Sequence, residues 1–576
     1  MTYARLIGLA FNLLICLAGQ NLAPLNPRFL ERQTERGSAI RPGPVDFGGQ
    51  GSRPVMAAPL PAAYDLRTFG RVTPVRDQGL CNSCWAFAAL GALESSLLPS
   101  ESLDFSENHL RTRHGFDLDG CAGGYGTFAM SYFARWDGPV DEAADPYTDK
   151  AVAVSPALPV RRHIQHVLPI IRRGISGNDT LKEAIMTHGA LQTPMYIDSA
   201  NPSYYRPATA SYYYYSQKPA AANHYLSVIG WDDQYSRTKF ASTPPGDGAF
   251  LAKNSWGTQF GAGGYFWISY YDAVFAIGSS IAYLSAPDSY LHNYGYDHLG
   301  WTSNMGFDGP TAWFANVFTS VAAERLQAVS FYLITPGTYR VRVLDDTGNG
   351  PAGGRVLSEQ TGTFDMAGYR TVVLNTPVEL ANGARFAVAV ELTTPESNFP
   401  VAIERPIANW SSQARSSPGE SYVSRDGVSW RDLTEIYPDS NVCLRAFSGL
   451  GGPSLSVKVT HSGWLSGRES GTISISVKNV SGEATNGEVT VSERLPAGMT
   501  LTSIEGDGWT CKGAVCSRQD SLAPGAAYPP IRVWARIDGN APSRLTHSVT
   551  AGGGMSPRVT VDEEIETRRN RPFPRR

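Results

Sequence analysis

Residues 78–87 have the sequence Gln78-Gly79-Leu80-Cys81-Asn82-Ser83-Cys84-Trp85-Ala86-Phe87, which leads from a loop into a helix. The run from Cys84 to Glu94 is rich in helix formers, Ser83 is a favourable N-cap, and Pro99 indicates the far end. Cys84 is therefore expected in a first helical turn, where unpaired N–H groups and the helix dipole favour a thiolate. Such a position can lower a cysteine pKa from about 8.5 to roughly 3.5–7.5. The stretch predicts a nucleophilic cysteine, with the amide of Gln78 upstream of it.

A nucleophilic thiolate needs a proton carrier and a group that orients the carrier, both usually far away in sequence. His224 stands at the start of an apolar, strand-like run that continues to Trp231. Asn254 follows a second strand-like segment, residues 249–252, and Trp256 comes two positions later. These residues are the candidates for the base and its orienting partner.

This set of motifs resembles the papain family of cysteine peptidases over about Leu60 to Ala282. The resemblance rests on Leu60-Pro61-Ala62-Ala63-Tyr64-Asp65-Leu66-Arg67, Gln78 to Phe87, Cys121-Ala122-Gly123-Gly124, Asn223 to Trp231, Lys253 to Thr258 and Gly264 to Ser269. It implies an α+β fold with two lobes, one helical and one β-rich, and a catalytic site between them.

The resemblance also implies a role for each site residue. Cys84 would attack the peptide carbonyl, His224 would be its imidazolium partner, and Asn254 would orient the ring. Gln78 and the backbone N–H of Cys84 would stabilise the oxyanion. Trp256 would shield the His–Asn contact, and Gly123 and Gly124 would receive the substrate backbone, although paired glycines are more commonly a turn. No cofactor and no metal is expected; His163 and His166 lack further ligands at metal-binding spacing.

The cysteine content suits an exported protein with disulfides. In the papain family the cysteine three before the nucleophile bonds to the one that opens the Cys-x-Gly-Gly turn, which implies a Cys81–Cys121 bridge. Cys511 and Cys516 are a second, tight pair, and Cys443 is expected to be a buried thiol. A thioredoxin-like redox pair between Cys81 and Cys84 is the alternative, but no strand-turn-helix redox unit surrounds these residues.

The length of 576 residues allows three or four domains, and a formal net charge of −3 disfavours nucleic acid or an anionic membrane as partner. Protein or peptide substrates are expected instead. Residues 1–23 predict a signal peptide, because Arg5 precedes an apolar run from Leu6 to Ala18 that is shorter than the ~20 residues of a spanning helix. A membrane anchor is the rival interpretation. The mature protein is expected to be secreted or held at the cell surface without a membrane span.

The remaining segments divide by composition. Residues 24–58 are rich in proline without helical periodicity and predict a disordered leader, either a propeptide or a plain secretion linker. The further expected parts are a peptidase domain at 59–286, a lectin-like β-sandwich at 287–449, an immunoglobulin-like β domain at 453–567 and a basic tail at 568–576. The lectin-like assignment comes from a looser resemblance to bacterial surface proteins.

The sequence therefore predicts a secreted papain-like cysteine peptidase, an endopeptidase, whose two all-β sandwich-like domains bind a surface carbohydrate or protein. Because every catalytic residue lies between Gln78 and Trp256, a chain ending near Ala286 is expected to fold and to cleave small peptides. The alternative is a noncatalytic surface adhesin with a relic peptidase lobe.

Overall fold

The structure is a computed structural model. It describes residues 21–32, 43–45, 59–174, 177–285, 290–345, 348, 350–449, 453–462, 471–480, 484–538, 541–542 and 544–566. The apolar run of the predicted signal peptide, most of the predicted leader, the glycine-rich linker at 450–452 and the basic tail lie outside the described residues. None of the described helices has the length and apolar character needed to cross a membrane.

The helical lobe is built around the helix that begins at Cys84. Helix α1 (Pro27–Arg32) belongs to the leader, and the helices of the lobe are α2 (Cys84–Leu97), α3 (Glu107–Arg113) and α4 (Gly126–Ala134). Helix α5 (Asn178–His188) packs instead in the core of the β-rich lobe. Helix α2 is buried from Cys84 to Ser95, because apolar and small residues occupy all of its faces. It ends where Leu98 becomes extended ahead of Pro99, as the sequence predicts. A helix buried on every side is a core element, so it holds Cys84 rigidly.

The β-rich lobe packs against α2. Strand β1 (Asn21–Leu22) lies at the end of the predicted signal peptide. The strands of the lobe are β2 (Ala63–Asp65), β3 (Ile164–Ile170), β4 (Leu191–Met195), β5 (Tyr205–Arg206), β6 (Ser211–Tyr212), β7 (His224–Asp232), β8 (Ala249–Lys253), β9 (Tyr265–Ser269) and β10 (Ser280–Ser285). Strands β4, β7, β8 and β9 are neighbours in an antiparallel arrangement. His224 begins β7 and Asn254 directly follows β8, so the pairing of these strands brings the two residues together.

The next region is almost entirely β-structure. Its strands are β11 (His292–Tyr294), β12 (Ser303–Gly306), β13 (Thr311–Thr319), β14 (Glu324–Leu333), β15 (Gly337–Asp345), β16 (Val356–Phe364), β17 (Gly368–Leu380), β18 (Arg385–Thr393), β19 (Val401–Glu404), β20 (Ser421–Ser424), β21 (Arg431–Asp432), β22 (Asn441–Val442) and β23 (Leu444–Gly449). Strands β11, β23, β14 and β17 continue the sheet of the peptidase lobes, because Tyr369 on β17 pairs with Val167 on β3.

A single apolar core also crosses this boundary. The cluster that contains Cys84, Trp85 and Phe128 includes residues from the β-rich region, among them Trp301, Tyr332, Tyr369, Trp410 and Cys443. The two regions therefore share a core as well as a sheet, which the sequence did not predict.

The leader is partly ordered, contrary to the sequence-based expectation of disorder. Its helix α1 (Pro27–Arg32) is preceded by β1, which lies at the end of the predicted signal peptide and pairs with β12, Asn21 opposite Gly306 and Leu22 opposite Met305. Helix α1 follows, although the segment has no helical periodicity, and Phe29 on it packs edge-on against Trp410 with ring centroids 5.5 Å apart. Tertiary packing thus overrides the weak local propensity.

Residues 455–566 form a separate compact unit with its own core. Its strands are β24 (Leu455–Ser462), β25 (Gly471–Asn479), β26 (Val489–Arg494), β27 (Met499–Gly506), β28 (Thr510–Lys512), β29 (Val515–Arg518), β30 (Ile531–Ile537), β31 (Arg544–Gly553) and β32 (Ser556–Glu566). They form two antiparallel sheets, in the orders β24-β25-β30-β27 and β28-β29-β26-β31-β32. Alternating apolar residues of β25, β26, β30 and β31 fill the core between these strands.

Candidate active site

Cys84 lies at the first position of α2, as the sequence predicts, and its thiol is fully buried. The backbone N–H of Tyr225, the residue after His224, donates to Cys84 Sγ over 3.4 Å. Burial raises the pKa of Cys84 to about 12, while the N–H groups of Tyr225, Trp85 and Cys84 itself act in the opposite direction. The pKa of Cys84 is therefore raised and not lowered as predicted. The cost of burying the charged thiolate is larger than the stabilisation by the N–H groups at the helix N-terminus.

Ser83 precedes α2 but does not cap it through its side chain. Its hydroxyl instead forms a 2.6 Å hydrogen bond with the hydroxyl of Tyr147. Ser83 is therefore the residue at the N-cap position, as predicted, but its side chain does not form the capping hydrogen bond.

His224 and Asn254 form a direct contact. The distance from His224 Nε2 to Asn254 Oδ1 is 2.8 Å, and Oδ1 also accepts from the backbone N–H of Ser255 at 2.9 Å. Because a carbonyl oxygen only accepts, Nε2 carries the proton of the neutral ring and Nδ1 is the nitrogen that can accept one. Burial lowers the pKa of His224 to about 4, and the Asn254 contact opposes this shift. The imidazole is therefore neutral while the site stays covered.

Trp256 lies over this pair. Its ring centroid is 4.7 Å from that of His224. The role that the resemblance implies for this indole, keeping water from the His224–Asn254 hydrogen bond, stays a prediction. Trp256 also contacts Phe260 edge-on at 4.9 Å, so it packs in the β-rich lobe at the same time.

Gln78 is held beside the same segment by the backbone. Its N–H donates to the carbonyl of Ser255 at 2.8 Å, and the N–H of Gly257 donates to the carbonyl of Arg76 at 3.0 Å. Its side-chain Nε2 donates to the carbonyl of Cys81 at 2.8 Å. An amide nitrogen has two hydrogens, so Nε2 can donate a second hydrogen bond, and the oxyanion role of Gln78 stays a prediction.

Two further residues position Gln78, and the sequence analysis missed both. The hydroxyl of Ser255 donates to Gln78 Oε1 at 2.7 Å, and that of Tyr147 donates to the Gln78 carbonyl at 2.8 Å. Ser255 could have been found, since it stands between Asn254 and Trp256. Tyr147 lies in a segment without regular structure, and no local pattern marks it.

Backbone conformation and packing already require glycine at both positions of the Cys-x-Gly-Gly turn. Gly123 adopts a φ of 99°, which is strained for residues with a side chain. A Cβ on Gly124 would overlap the indole of Trp85. Binding of substrate backbone by Gly123 and Gly124 stays a prediction.

Cys81 and Cys121 form a disulfide, as do Cys511 and Cys516, while Cys84 and Cys443 are free and buried. The partner of Cys81 is therefore Cys121 and not Cys84, which argues against a redox pair. Within the described part of the chain, no group of histidine, cysteine and acidic side chains is arranged to hold a metal ion. His163 instead stacks on Trp136 with ring centroids 3.6 Å apart.

Two family profiles match the chain. Residues 60–284 match the papain family cysteine proteases, and residues 293–448 match the lectin like domain. Among curated relatives, a cysteine protease of Blomia tropicalis is 30% identical over 214 residues and cathepsin K of Gallus gallus is 33% identical over 217. These alignments cover 36% and 37% of this chain and 60% of each relative. The chain thus spans about 60% of the length of the curated relatives that it matches.

Solved structures extend the likeness beyond the peptidase region. The crystal structure of the cysteine protease and lectin-like domains of Cwp84, a surface layer associated protein of Clostridium difficile, covers 75% of this chain and 99% of its own. The TM-score is 0.64 and the identity 25%. A Cwp84 variant after propeptide cleavage covers 67% of this chain and 99% of its own, with a TM-score of 0.59 and 25% identity.

These matches confirm the predicted α+β class. The chain contains a papain-family domain of the cysteine protease type, and a lectin-like domain follows it.

Proposed function

We propose that this protein is an exported cysteine endopeptidase that hydrolyses peptide bonds through Cys84, His224 and Asn254. The observation that carries the proposal is the 2.8 Å contact between His224 Nε2 and Asn254 Oδ1, next to a thiol at a helix N-terminus. This contact fixes the histidine tautomer that a thiol nucleophile requires. The relatives are cysteine proteases, and they support the same reaction.

In the proposed mechanism the proton of Cys84 passes to Nδ1 of His224, and the thiolate attacks the carbonyl carbon of the scissile bond. Gln78 and the backbone N–H of Cys84 donate hydrogen bonds to the oxyanion. The imidazolium then protonates the leaving amine, which leaves an acyl-enzyme that water hydrolyses by the same steps. Asn254 keeps the ring oriented without adding a carboxylate charge.

The leader, we infer, keeps the enzyme silent until it is removed. Gly43 and Pro44 of the leader are buried, and a Cβ on Gly43 would contact both Tyr125 and Trp410. Tyr125 directly follows Gly124, the residue that the resemblance places along the substrate. A leader anchored here competes with substrate and helps to exclude water from the thiol. Its removal would fall between Arg53 and Ala62, mostly outside the described residues.

The proposed location is the outside of the cell, either secreted or at the surface. The predicted signal peptide supports export, and Cwp84 is a surface layer associated protein. The lectin-like domain and the C-terminal β unit would bind a surface carbohydrate or protein, so that the peptidase acts near its substrates.

The test is cleavage of a peptide library by the processed protein. Cys84→Ala should be folded and inactive, His224→Ala nearly inactive, and Asn254→Ala less impaired. His298→Ala, which replaces an exposed histidine, is the matched control and should keep full activity. A peptidyl alkylating inhibitor should modify Cys84 and leave Cys443 unmodified. Full activity of Cys84→Ala would refute the mechanism.

A further inference from the structure

A second cleft, with a volume of about 740 Å³, lies between the helical lobe and the lectin-like domain. Residues 111–120 line one side of it, and residues from 293 to 299 line the other together with Arg445. Buried side chains, including Phe116 and Leu299, lie at its bottom, while Val154 and Gln413 at its edge are exposed. The cleft is large enough for a small organic molecule.

Guanidinium groups dominate the charge of this cleft. Arg111, Arg113, Arg135 and Arg445 all line it. Arg113 and Arg135 share one carboxylate, that of Asp137, at 3.6 and 2.8 Å. One carboxylate cannot neutralise two guanidinium groups, so this pair keeps a positive surplus.

Arg445 and Arg135 converge on a single turn. Arg445 pairs with the buried carboxylate of Asp297 at 3.1 Å and donates to the Asp297 carbonyl at 2.6 Å. Arg135 donates to the next carbonyl, that of His298, at 2.9 Å. Burial lowers the pKa of Arg135; Asp137 opposes this shift, and Arg445 adds to it by repulsion. The two like charges are thus held close together by the fold.

Two details show that the charge of these guanidinium groups is not fully neutralised by the protein. Arg111 bonds to neutral acceptors, Asn108 Oδ1 and the carbonyls of Thr148 and Lys150, and pairs with no carboxylate among the described residues. Nε of Arg445 has no hydrogen-bond partner within the described part of the chain, although only 3% of this residue is exposed. Nε of Arg113 also lacks a partner among the described residues, so the protein leaves two guanidinium groups of this cleft incompletely satisfied.

We propose that this cleft binds a small organic anion, a carboxylate or phosphate group carried on an aliphatic body. The anionic group would lie against Arg113, Arg135 and Arg445, whose planar forks suit both kinds of oxyanion. The aliphatic part would cover Val152 and Val154, which also line the cleft and are 44% and 69% exposed.

Binding would also stabilise the contact between the two domains. Each contributes one side of the cleft, so the ligand binds only when they are packed together. A ligand that binds only the folded, packed form raises its thermal stability. The thermal transition of the full chain should therefore shift upward with ligand concentration.

The experiment uses the full-length chain with Cys84→Ala, which prevents self-cleavage, and isothermal titration with inorganic phosphate and with hexanoate. Hexanol is the uncharged comparison for hexanoate. Hexanoate should bind more tightly than hexanol, and added salt should weaken the binding of both anions. Comparing phosphate with hexanoate distinguishes a phosphate ligand from an aliphatic carboxylate.

Charge variants give the decisive comparison. Arg113→Gln should weaken binding of the anions by about tenfold or more, since it removes a charge-assisted donor. Val154→Asp places a negative charge on an exposed position at the edge and should weaken binding without disturbing the core. Asp119→Asn removes a negative charge from the lining and should strengthen binding.

Arg355→Gln is the matched control, because Arg355 is an exposed arginine that does not line the cleft, and it should change nothing. The proposal is overturned if neither anion binds at about 20 mM, or if Arg113→Gln and Val154→Asp bind the anions as the parent does.

Discussion

Cys84 and His224, the proposed catalytic residues, illustrate how burial sets the protonation of individual groups. Burial raises the pKa of Cys84 to about 12 and lowers that of His224 to about 4, so both groups are neutral near pH 7. Peptide hydrolysis by this pair needs the thiolate and the imidazolium. For the proposed reaction this buried site is therefore a resting state, and we expect hydration of the thiol to be the step that makes it reactive.

The first prediction concerns alkylation of the thiol by iodoacetamide as a function of pH. In the unprocessed chain Cys84 should react at pH 7 at least about 100-fold more slowly than in the processed chain, and its rate should rise only at strongly alkaline pH. The sign follows from burial, which favours the uncharged thiol. Mass spectrometry of the modified peptide measures the rate. Equal rates in the two forms at pH 7 would contradict a covered resting state.

The second prediction concerns Gln78, whose side chain is fixed between Cys81 and Ser255. Gln78→Ala should lower kcat by about 100- to 1,000-fold with a small change in KM, because the lost hydrogen bond forms mainly in the transition state. Gln413→Ala, at an exposed position, is the matched control. A variant that loses only substrate affinity would assign Gln78 to binding.

At the scale of elements, the sequence predicted those whose signal is local. The helix from Cys84 has continuous helix formers and a proline after its end, and both bounds agree with the structure. The strand that starts at His224 is a continuous apolar run and was equally clear. Side-chain contacts between distant segments, such as that of Tyr147 with Gln78, depend on tertiary packing and leave no pattern in the sequence.

The leader is a second case in which tertiary contacts form structure that the local sequence does not predict. Its residues have little intrinsic preference for regular structure, and the sequence predicted disorder. Helix α1 of the leader forms because Trp410 offers an aromatic surface to Phe29, and β1, just ahead of the leader, forms because β12 offers a strand edge. Neither partner is near in sequence, so local propensity could not reveal them.

The third prediction concerns the disulfide between Cys81 and Cys121, which joins the loop of Gln78 to the turn of Gly123. The disulfide joins residues 40 apart in sequence and so limits the conformations of the unfolded chain. Cys121→Ser removes this restriction and should lower the free energy of unfolding by about 4 kcal/mol. Activity should also fall, because Gln78 donates to the Cys81 carbonyl. Urea unfolding and peptide cleavage measure the two effects.

Cys511→Ser is the matched control for that prediction, since its disulfide lies in the separate C-terminal unit. It should leave peptide cleavage unchanged. Unchanged stability and activity in Cys121→Ser would show that the bridge does not position the site.

On the scale of the whole molecule, the peptidase and lectin-like domains are one structural body. The sheet passes from β3 to β17, and Trp301, Tyr369 and Trp410 belong to the same core cluster as Trp85. Residues 21–32 pack on the lectin-like domain, through β12 and Trp410, and Gly43 of the leader lies against Tyr125 of the peptidase domain. The lectin-like domain is thus part of the support of the catalytic lobe, and the sequence-based expectation of an independent peptidase domain does not fit this packing.

The last prediction compares two truncations, a chain that ends at Ser285 and a chain that ends at Gly449. The shorter chain loses the partners of the shared core, and each large apolar side chain that becomes exposed costs about 1.5–3 kcal/mol. Several such losses exceed a typical net stability of about 5–15 kcal/mol. We expect the shorter chain to be insoluble or inactive. The longer chain loses only the separate C-terminal unit and should cleave small peptides at the full rate.

Size-exclusion chromatography and cleavage of a small peptide measure both outcomes. A soluble, fully active chain ending at Ser285 would restore the independent peptidase domain that the sequence predicted, and would mean that the shared core adds little to its stability. An inactive chain ending at Gly449 would instead assign the C-terminal unit a part in folding or catalysis. If the lectin-like domain completes the core around Cys84, the chain ending at Ser285 must be inactive while the chain ending at Gly449 is active.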